Sequence, residues 1–371
     1  MKNSILNFDP INIITNLSMQ NTTICYFILI IAVIVLSIFL SKLCVILKDK
    51  TKISEAAIGA ILLGIITSFP ELITSIASIF LPPHNGFIAV GDIIGSNLFD
   101  LFVLAIFLFC FMLNKKTQRL DKSNFIAIIC MLINAIFCFL SGALFKYEIN
   151  GFNVFTIAFF CLFAINTIWF IKTRAQPNPW NKINKQEKNI SISFLSKWPL
   201  WLVILTIIMT SLCLVASSYF LTLFAIQINT YLKLDNAFSG AILLGIVTSL
   251  PEIITCTALA FTKQYNMVIG NIVGSVNFNF FILFIANVVL TSINGGQMFS
   301  FFSDINNKNI SWQILFFLFQ SVFILLYAFS NYKKTYKNKK NAISISFKFV
   351  ETVAIALCYL SFIAVSQFQM G

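Results

Sequence analysis

Long apolar stretches, separated by short polar or basic segments, follow one another along almost the whole chain. Each is close to or above the ~20 residues that a helix needs to cross a bilayer. The pattern therefore predicts an all-α polytopic membrane protein with ten transmembrane helices. The predicted spans are residues 24–47, 55–81, 86–113, 124–145, 152–172, 199–229, 237–262, 265–292, 311–331 and 348–369.

The only long polar connector among these spans lies in the middle of the chain, at residues 173–198. It contains Pro177, Pro179 and several lysines, a composition that favours a flexible linker. The chain is therefore predicted to consist of a first membrane repeat at 24–172, the linker, and a second membrane repeat at 199–369. Each repeat would hold five spans.

A duplicated segment supports this division into two halves. Residues 59–74 read GAILLGIITSFPELIT and residues 240–255 read GAILLGIVTSLPEIIT, with thirteen of sixteen positions identical. Such a close repeat indicates one structural unit used twice. The second and seventh spans, which carry it, cross the membrane in opposite directions, so the halves are predicted to be inverted repeats. Inverted repeats with broken helices near the midplane are typical of secondary transporters.

Composition and charge agree with an integral membrane protein. The chain is 58% hydrophobic and 10% charged, which excludes an ordinary soluble domain. Of the 25 Lys and Arg residues, 21 fall on the linker side of the predicted topology. By the positive-inside rule that side is cytoplasmic, so both termini would lie outside, in a multi-pass protein of the cell membrane. The basic residues thus indicate lipid headgroups and not a nucleic-acid partner.

Carboxylates lie inside predicted spans, where they are costly and usually functional. In each copy of the repeat a proline precedes a glutamate, as Pro70-Glu71 and Pro251-Glu252. Proline removes a backbone donor and disturbs the preceding turn, so carbonyls, hydroxyls and a carboxylate come together. These hard oxygen donors suit Na⁺ or Ca²⁺. A protonated structural carboxyl is the alternative, and it fits Asp92 better than the glutamates.

The third and eighth spans carry matching polar positions. Residues 91–100 read GDIIGSNLFD and residues 270–279 read GNIVGSVNFN, so a serine and an Asp or Asn share one helix face in each. Glycines before these serines would let helices approach closely, and those before the repeat threonines would either pack or offer carbonyls. The candidate ion ligands are Gly64, Thr67, Ser68, Glu71, Ser96, Asp100, Gly245, Thr248, Ser249, Glu252, Ser275 and Asn279.

The motifs TSFPE and TSLPE, each followed by a helix containing Gly-Ser, resemble the α-repeats of the cation/calcium exchanger superfamily. The short linker resembles the compact prokaryotic sodium/calcium exchangers. The resemblance implies that Glu71 and Glu252 are the principal Ca²⁺ carboxylates. It also implies that Thr67 and Thr248 bind through main-chain carbonyls and that Ser68, Ser96, Ser249 and Ser275 mainly serve Na⁺. The chain departs from the pattern at Val276, where the first repeat has Asn97.

We therefore expect a Na⁺/Ca²⁺ antiporter that works by alternating access and exports Ca²⁺. We expect no enzymatic activity, no cofactor besides the transported ions and no obligate protein partner. Proton-coupled Ca²⁺ exchange through the same carboxylates is the close rival, and K⁺ cotransport stays open. An intramembrane hydrolase is disfavoured because the only histidine, His84, falls in a predicted outer loop. A channel is disfavoured because two inverted copies around a central site favour alternating access.

Overall fold

A computed structural model gives the fold of the chain. The structure describes residues 18–51, 53–80, 86–113, 120–140, 148–149, 152–172, 195–232, 248–293, 308–333 and 342–368. The expectations for His84, Gly245 and most of the 173–198 linker concern residues outside these ranges.

The first half is almost entirely helical. A long helix is followed by a second span in four pieces, by two further membrane helices and by a shorter fifth helix. The elements are α1 (Met19–Lys50), α2 (Glu55–Ala57), a π-helical segment (Ile58–Leu63), α3 (Gly64–Thr67), α4 (Phe69–Phe80), α5 (Gly86–Leu113), α6 (Lys122–Phe139) and α7 (Thr156–Lys172).

The second half again begins with a long helix, but its last helix is longer than α7. Its elements are α8 (Leu200–Leu232), α9 (Leu250–Phe261), α10 (Tyr265–Ile293), α11 (Lys308–Lys333) and α12 (Ala342–Phe368). Within the described residues, eight helical spans are long and apolar enough to cross a membrane, and α7 and α9 are shorter. The all-helical membrane fold is thus confirmed. The count of ten spans stays a prediction, because the residues that precede α9 lie in an undescribed range.

The fifth span begins later than its apolar run suggests. Phe152–Asn153 (β2) pairs antiparallel with Glu148–Ile149 (β1), and a turn then leads into the helix at Thr156. The predicted start at residue 152 is therefore wrong by four residues. Aromatic and β-branched residues fit a strand as well as a helix, so the hydropathy pattern alone does not separate the two.

Both predicted proline breaks are present. Helix α3 ends at Thr67, Ser68 has φ −92° and ψ 8°, and α4 begins at Phe69. In the second half Ser249 has φ −83° and ψ 6° and caps α9, whose first turn contains Pro251. Proline is well tolerated in a first helical turn, where its missing N–H has no partner to lose. Each proline therefore lies in the first turn of a new helix, two residues after the break serine.

Helix α10 is the centre of the fold. It packs against the π-helical segment, α3, α5, α6 and α7. In its most apolar stretch of 18 residues, 72% of the residues are buried. Helices α1 and α8 form a peripheral pair that packs together and exposes large apolar side chains such as Phe27 and Trp201. In a bilayer these exposed side chains face lipid.

Glycines allow α10 to lie directly on the second span. A Cβ at Gly274 would be 2.4 Å from Ala60 Cα, and one at Gly64 would be 2.7 Å from the Ser275 backbone nitrogen. Such distances are shorter than van der Waals contact, so only glycine fits. The expected close packing at Gly274 is confirmed. A Cβ at Gly95 would have no described atom within 4 Å. The segment expected to contact Gly95 is 240–247, the counterpart of the second-span segment that Gly274 contacts, and it is undescribed.

One end of α1 is fastened to the rest of the protein by a lysine. Lys48 Nζ donates to Glu55 Oε1 at 3.3 Å and to Gln264 Oε1 at 2.6 Å. Glu55 starts the second span, and Gln264 lies between α9 and α10. The side chains of Lys48 and Glu55 are each only 10% exposed, so this contact is shielded from solvent. We call these three residues the Lys48 anchor.

Candidate cation site

The two helix breaks place equivalent polar groups at the middle of the fold. Ser68 and Ser249 occupy the breaks, and Glu71 and Glu252 lie in the first turns of the helices that follow. The N-terminus of a helix carries partial positive charge and unpaired N–H groups, which favour a nearby carboxylate. Each break therefore supplies a favourable position for one buried negative charge.

Serines from both halves meet between the breaks. The hydroxyls of Ser68 and Ser275 are 2.5 Å apart. Ser275 Oγ also lies 3.2 Å from Asp100 Oδ2, and Ser68 Oγ lies 3.5 Å from Glu252 Oε1. A connected set of oxygen atoms thus links α5, α9, α10 and the first break. All four of these side chains are buried.

Within the described ranges, no basic side chain compensates the charge of the two glutamates. Glu71 and Glu252 are each 1% exposed, and one oxygen of each, Oε2, has no hydrogen-bond partner in the described part of the chain. The charged groups that act on Glu71 are Glu252, Asp100 and Asp92, all of them acidic. Buried carboxylates without a basic partner favour a bound cation or a proton.

The carboxylates are not gathered into a compact metal centre. Among the described residues, no group of three or more His, Cys, Asp or Glu side chains is close enough to hold a metal ion. A cation between these groups would therefore need hydroxyl and carbonyl oxygens in addition to carboxylates, which is the mixed oxygen set that Na⁺ and Ca²⁺ accept.

The other predicted ligands lie at or near the same breaks. Thr67 and Thr248 precede the break serines and are fully buried. Thr67 Oγ1 donates to Leu63 O at 2.9 Å, so its hydroxyl satisfies the preceding turn. Ser249 lies beside the Asp100 carboxylate. Ser96 is buried, and its Oγ has no described hydrogen-bond partner.

Asp92 belongs to a separate contact. Its Oδ2 accepts a hydrogen bond from Thr74 Oγ1 at 3.1 Å, and the side chain is only partly buried. At the matching position in α10, Asn271 donates to Cys256 Sγ at 3.2 Å. The structure thus places Asp92 outside the serine-linked group, as its sequence position indicates.

Asn97 is a residue that the sequence prediction left out of the site. Its Oδ1 accepts a hydrogen bond of 2.8 Å from Nδ2 of the candidate ligand Asn279. Asn277 instead donates to Ala127 O and Val273 O, so it turns away toward α6. A comparison of the two repeats shows this difference, because the position in the second repeat that corresponds to Asn97 is occupied by Val276. It does not reveal which side chain Asn97 contacts.

Comparison with known proteins adds a family. The family model described as "Sodium/calcium exchanger protein" matches residues 22–181 and 202–368. No curated protein matches the chain by sequence.

The fold is similar to that of solved structures of the sodium-calcium exchanger NCX_Mj. For the crystal soaked with 2.5 mM Na⁺ and 10 mM Sr²⁺ the TM-score is 0.65 at 20% identity, over 94% of this chain and 99% of that one. For the crystal soaked with 2.5 mM Na⁺ and 0.1 mM Ca²⁺ the TM-score is 0.62 at 21% identity, over 91% and 96%. At this identity the likeness shows the shared fold.

Proposed function

The chain belongs to the sodium/calcium exchanger family, and on that premise we propose that it exchanges Na⁺ for Ca²⁺ across the cell membrane. The observation that carries the proposal is the buried oxygen group at the two helix breaks, where Glu71 and Glu252 each have a carboxylate oxygen without a hydrogen-bond partner among the described residues. Leaving a buried acceptor unpaired is costly, and a transported cation relieves that cost.

In this proposal the two glutamates hold Ca²⁺, and the serines around them complete the Na⁺ sites. Ca²⁺ takes six to eight oxygen ligands, so two carboxylates need help from main-chain carbonyls, such as those of Thr67 and Thr248. The carbonyls of Gly64 and Gly245 are further candidates. The hydroxyls of Ser68, Ser96, Ser249 and Ser275 offer neutral oxygens, which suit a monovalent ion.

Charge determines the coupling that we propose. Glu71, Glu252 and Asp100 supply about three negative charges if all are ionised, while Asn279 is neutral. Three Na⁺ would neutralise them, whereas one Ca²⁺ would leave one negative charge. The two loaded forms then differ by one charge, so the exchange is electrogenic. Moving one charge through the membrane potential is worth about 2.3 kcal/mol per 100 mV.

The direction follows from the proposed orientation. With 21 of 25 basic residues on the linker side, that side faces the cytoplasm and both termini lie outside. An inside-negative potential then drives Na⁺ in and Ca²⁺ out. The two repeats, 24–172 and 199–369, would expose the central site to each side in turn.

The test is uptake of radiolabelled Ca²⁺ into proteoliposomes loaded with Na⁺, with the potential clamped by valinomycin and K⁺ gradients. We expect uptake that needs internal Na⁺ and responds to the imposed potential. Uptake that ignores the potential would refute the electrogenic scheme. Uptake that needs a pH gradient and no Na⁺ would instead establish the proton-coupled rival.

Asp100→Asn is the companion variant for this assay. It removes one of the three site carboxylates, so a Ca²⁺-loaded site becomes neutral and a site loaded with three Na⁺ becomes positive, while Ser275 keeps a polar neighbour at 3.2 Å. If Asp100 stays ionised during transport, the response to potential changes in the variant. If Asp100 carries a proton in both loaded forms, Na⁺ dependence and voltage response both persist.

A further inference from the structure

The two halves of the site differ at two linked positions. On α5 the chain has Asn97 and Asp100, and on α10 the corresponding residues are Val276 and Asn279. The half with the carboxylate ligand thus also holds the extra amide, and the half with the amide ligand holds an apolar residue in its place. Across the pseudo-symmetric site, Asn97 lies against Asn279, so Val276 is the counterpart on the Asp100 side.

An amide ligand has a problem that a carboxylate lacks. A carboxylate presents two equivalent acceptor oxygens, whereas the end of an Asn side chain has one acceptor and one donor. If the amide of Asn279 rotates by half a turn, its Nδ2 hydrogens replace Oδ1 and repel a cation. Some contact must therefore hold the amide in one orientation for it to serve as a ligand.

Asn97 supplies that contact. Asn279 Nδ2 donates to Asn97 Oδ1 at 2.8 Å, and both side chains are fully buried. Asn279 Oδ1 then has no hydrogen-bond partner in the described part of the chain. It lies one helical turn after Ser275, whose hydroxyl contacts Ser68. The donor end is fixed away from the ion, and the acceptor end stays available.

Simple packing does not explain Asn97 equally well. Its own Nδ2 is buried without a described partner. An unsatisfied buried donor costs free energy that an apolar side chain of similar size avoids. Val276 shows that the fold accepts an apolar residue at the corresponding position of the other half.

We propose that Asn97 is a positioning residue that orients the Asn279 amide so that Oδ1 faces the transported cation. The proposal rests on the function proposed above, in which Asn279 is an ion ligand. Asp100 needs no such partner because either carboxylate oxygen can face the ion, and its Oδ2 already lies 3.2 Å from Ser275 Oγ. The two differences between the halves therefore have one common explanation. Asn279 replaces a carboxylate and needs the Asn97 amide, whereas Asp100 needs no amide and has Val276 at the corresponding position.

The first experiment measures equilibrium binding of radiolabelled Ca²⁺ to purified Asn97→Val protein. We expect about tenfold weaker binding, the low end of the loss seen when a partner that orients a metal ligand is removed. Asn134→Val is the matched control, because Asn134 is also fully buried and donates to another asparagine, Asn277, at 3.2 Å. It should lower thermal stability similarly and leave Ca²⁺ affinity within about twofold.

The second experiment exchanges the two ligands. In the Asp100→Asn, Asn279→Asp background the net charge is unchanged, but the amide now lies on α5. Adding Asn97→Val should then change Ca²⁺ affinity by less than about twofold, and adding Val276→Asn should strengthen it. A purely structural role for Asn97 would weaken binding equally in both backgrounds.

The outcomes separate the two proposals. If the unmodified protein binds Ca²⁺ and Asn97→Val binds it equally well, the positioning role is refuted and the function stands. If the unmodified protein binds no Ca²⁺, the proposed function fails, and the positioning role fails with it. Should Asn97→Val not fold, Val276→Asn in the Asp100→Asn protein decides: recovered affinity supports the positioning role, and unchanged affinity refutes it.

Discussion

Replacing Gly274 by alanine tests whether the close approach of α10 to the second span sets the geometry of the site. The new Cβ would lie 2.4 Å from Ala60 Cα and 2.5 Å from Ala60 O, both backbone atoms. Ordinary carbon contacts need about 3.5 Å, so the two helices must separate by about 1 Å. No trimming of the Ala60 side chain relieves this clash.

That separation acts directly on the serine contact. Ser275 follows Gly274, and its hydroxyl is 2.5 Å from that of Ser68 on the second span. A shift of about 1 Å lengthens this distance to about 3.5 Å, well beyond the roughly 2.7–2.8 Å of an ordinary hydroxyl hydrogen bond, so the contact becomes weak. We expect Na⁺-dependent Ca²⁺ uptake to fall by about 100-fold, the loss that a misplacement of about 1 Å can cause at an active site. Overpacking should also lower the free energy of unfolding by about 1–3 kcal/mol.

The assay is Ca²⁺ uptake in proteoliposomes, with protein amount and thermal unfolding measured on the same preparation. Ala216→Val, on the exposed face of α8, is the control, because it adds volume at a position where no packed helix opposes it. An alanine at position 274 that leaves uptake and stability unchanged would refute the argument that backbone contact holds the two helices in register.

Two further predictions concern charge. Glu71→Gln and Glu252→Gln should each reduce Ca²⁺ uptake by about 100-fold, because each removes a negative charge from a divalent-ion site; Glu351→Gln, which alters a buried carboxyl on α12, should leave uptake near normal. Normal uptake in both site variants would exclude the assigned roles. Lys48→Met should lower the free energy of unfolding by about 1–3 kcal/mol in detergent titrations, because it leaves the shielded Glu55 carboxylate unpaired. The exposed Lys50→Met is its control, and equal stability of the two variants would contradict the Lys48 anchor.

Much of the fold follows from local physics that the sequence displays. Apolar length predicts the membrane helices, and proline chemistry predicts breaks in the turns before Pro70 and Pro251, where the structure has them at Ser68 and Ser249. The π-helical segment at Ile58–Leu63 was not predicted, because its composition is that of any apolar helix. It packs against α10, and a local pattern does not contain that contact.

For the candidate site, the sequence proposes residues but not the contacts between them. The repeat comparison singles out the break serines, the glutamates and the Asp100/Asn279 pair. The pairing of Asn97 with Asn279 joins positions 182 apart in the chain, so it depends on how the halves pack. The same holds for Asp92, whose Thr74 contact separates it from the serine-linked group.

The lengths of the peripheral helices have a consequence for the surrounding lipid. Helices α1 and α8 contain 32 and 33 residues. At 1.5 Å per residue each is about 50 Å long, against a hydrocarbon core of about 30 Å. Helices this long must tilt or protrude, and the degree of tilt changes with bilayer thickness. Because the Lys48 anchor fastens one end of α1, a thicker or thinner bilayer mainly displaces the opposite end. The acyl-chain length of the lipid therefore affects the position of α1. Variants of this protein should be compared only after reconstitution in the same lipid.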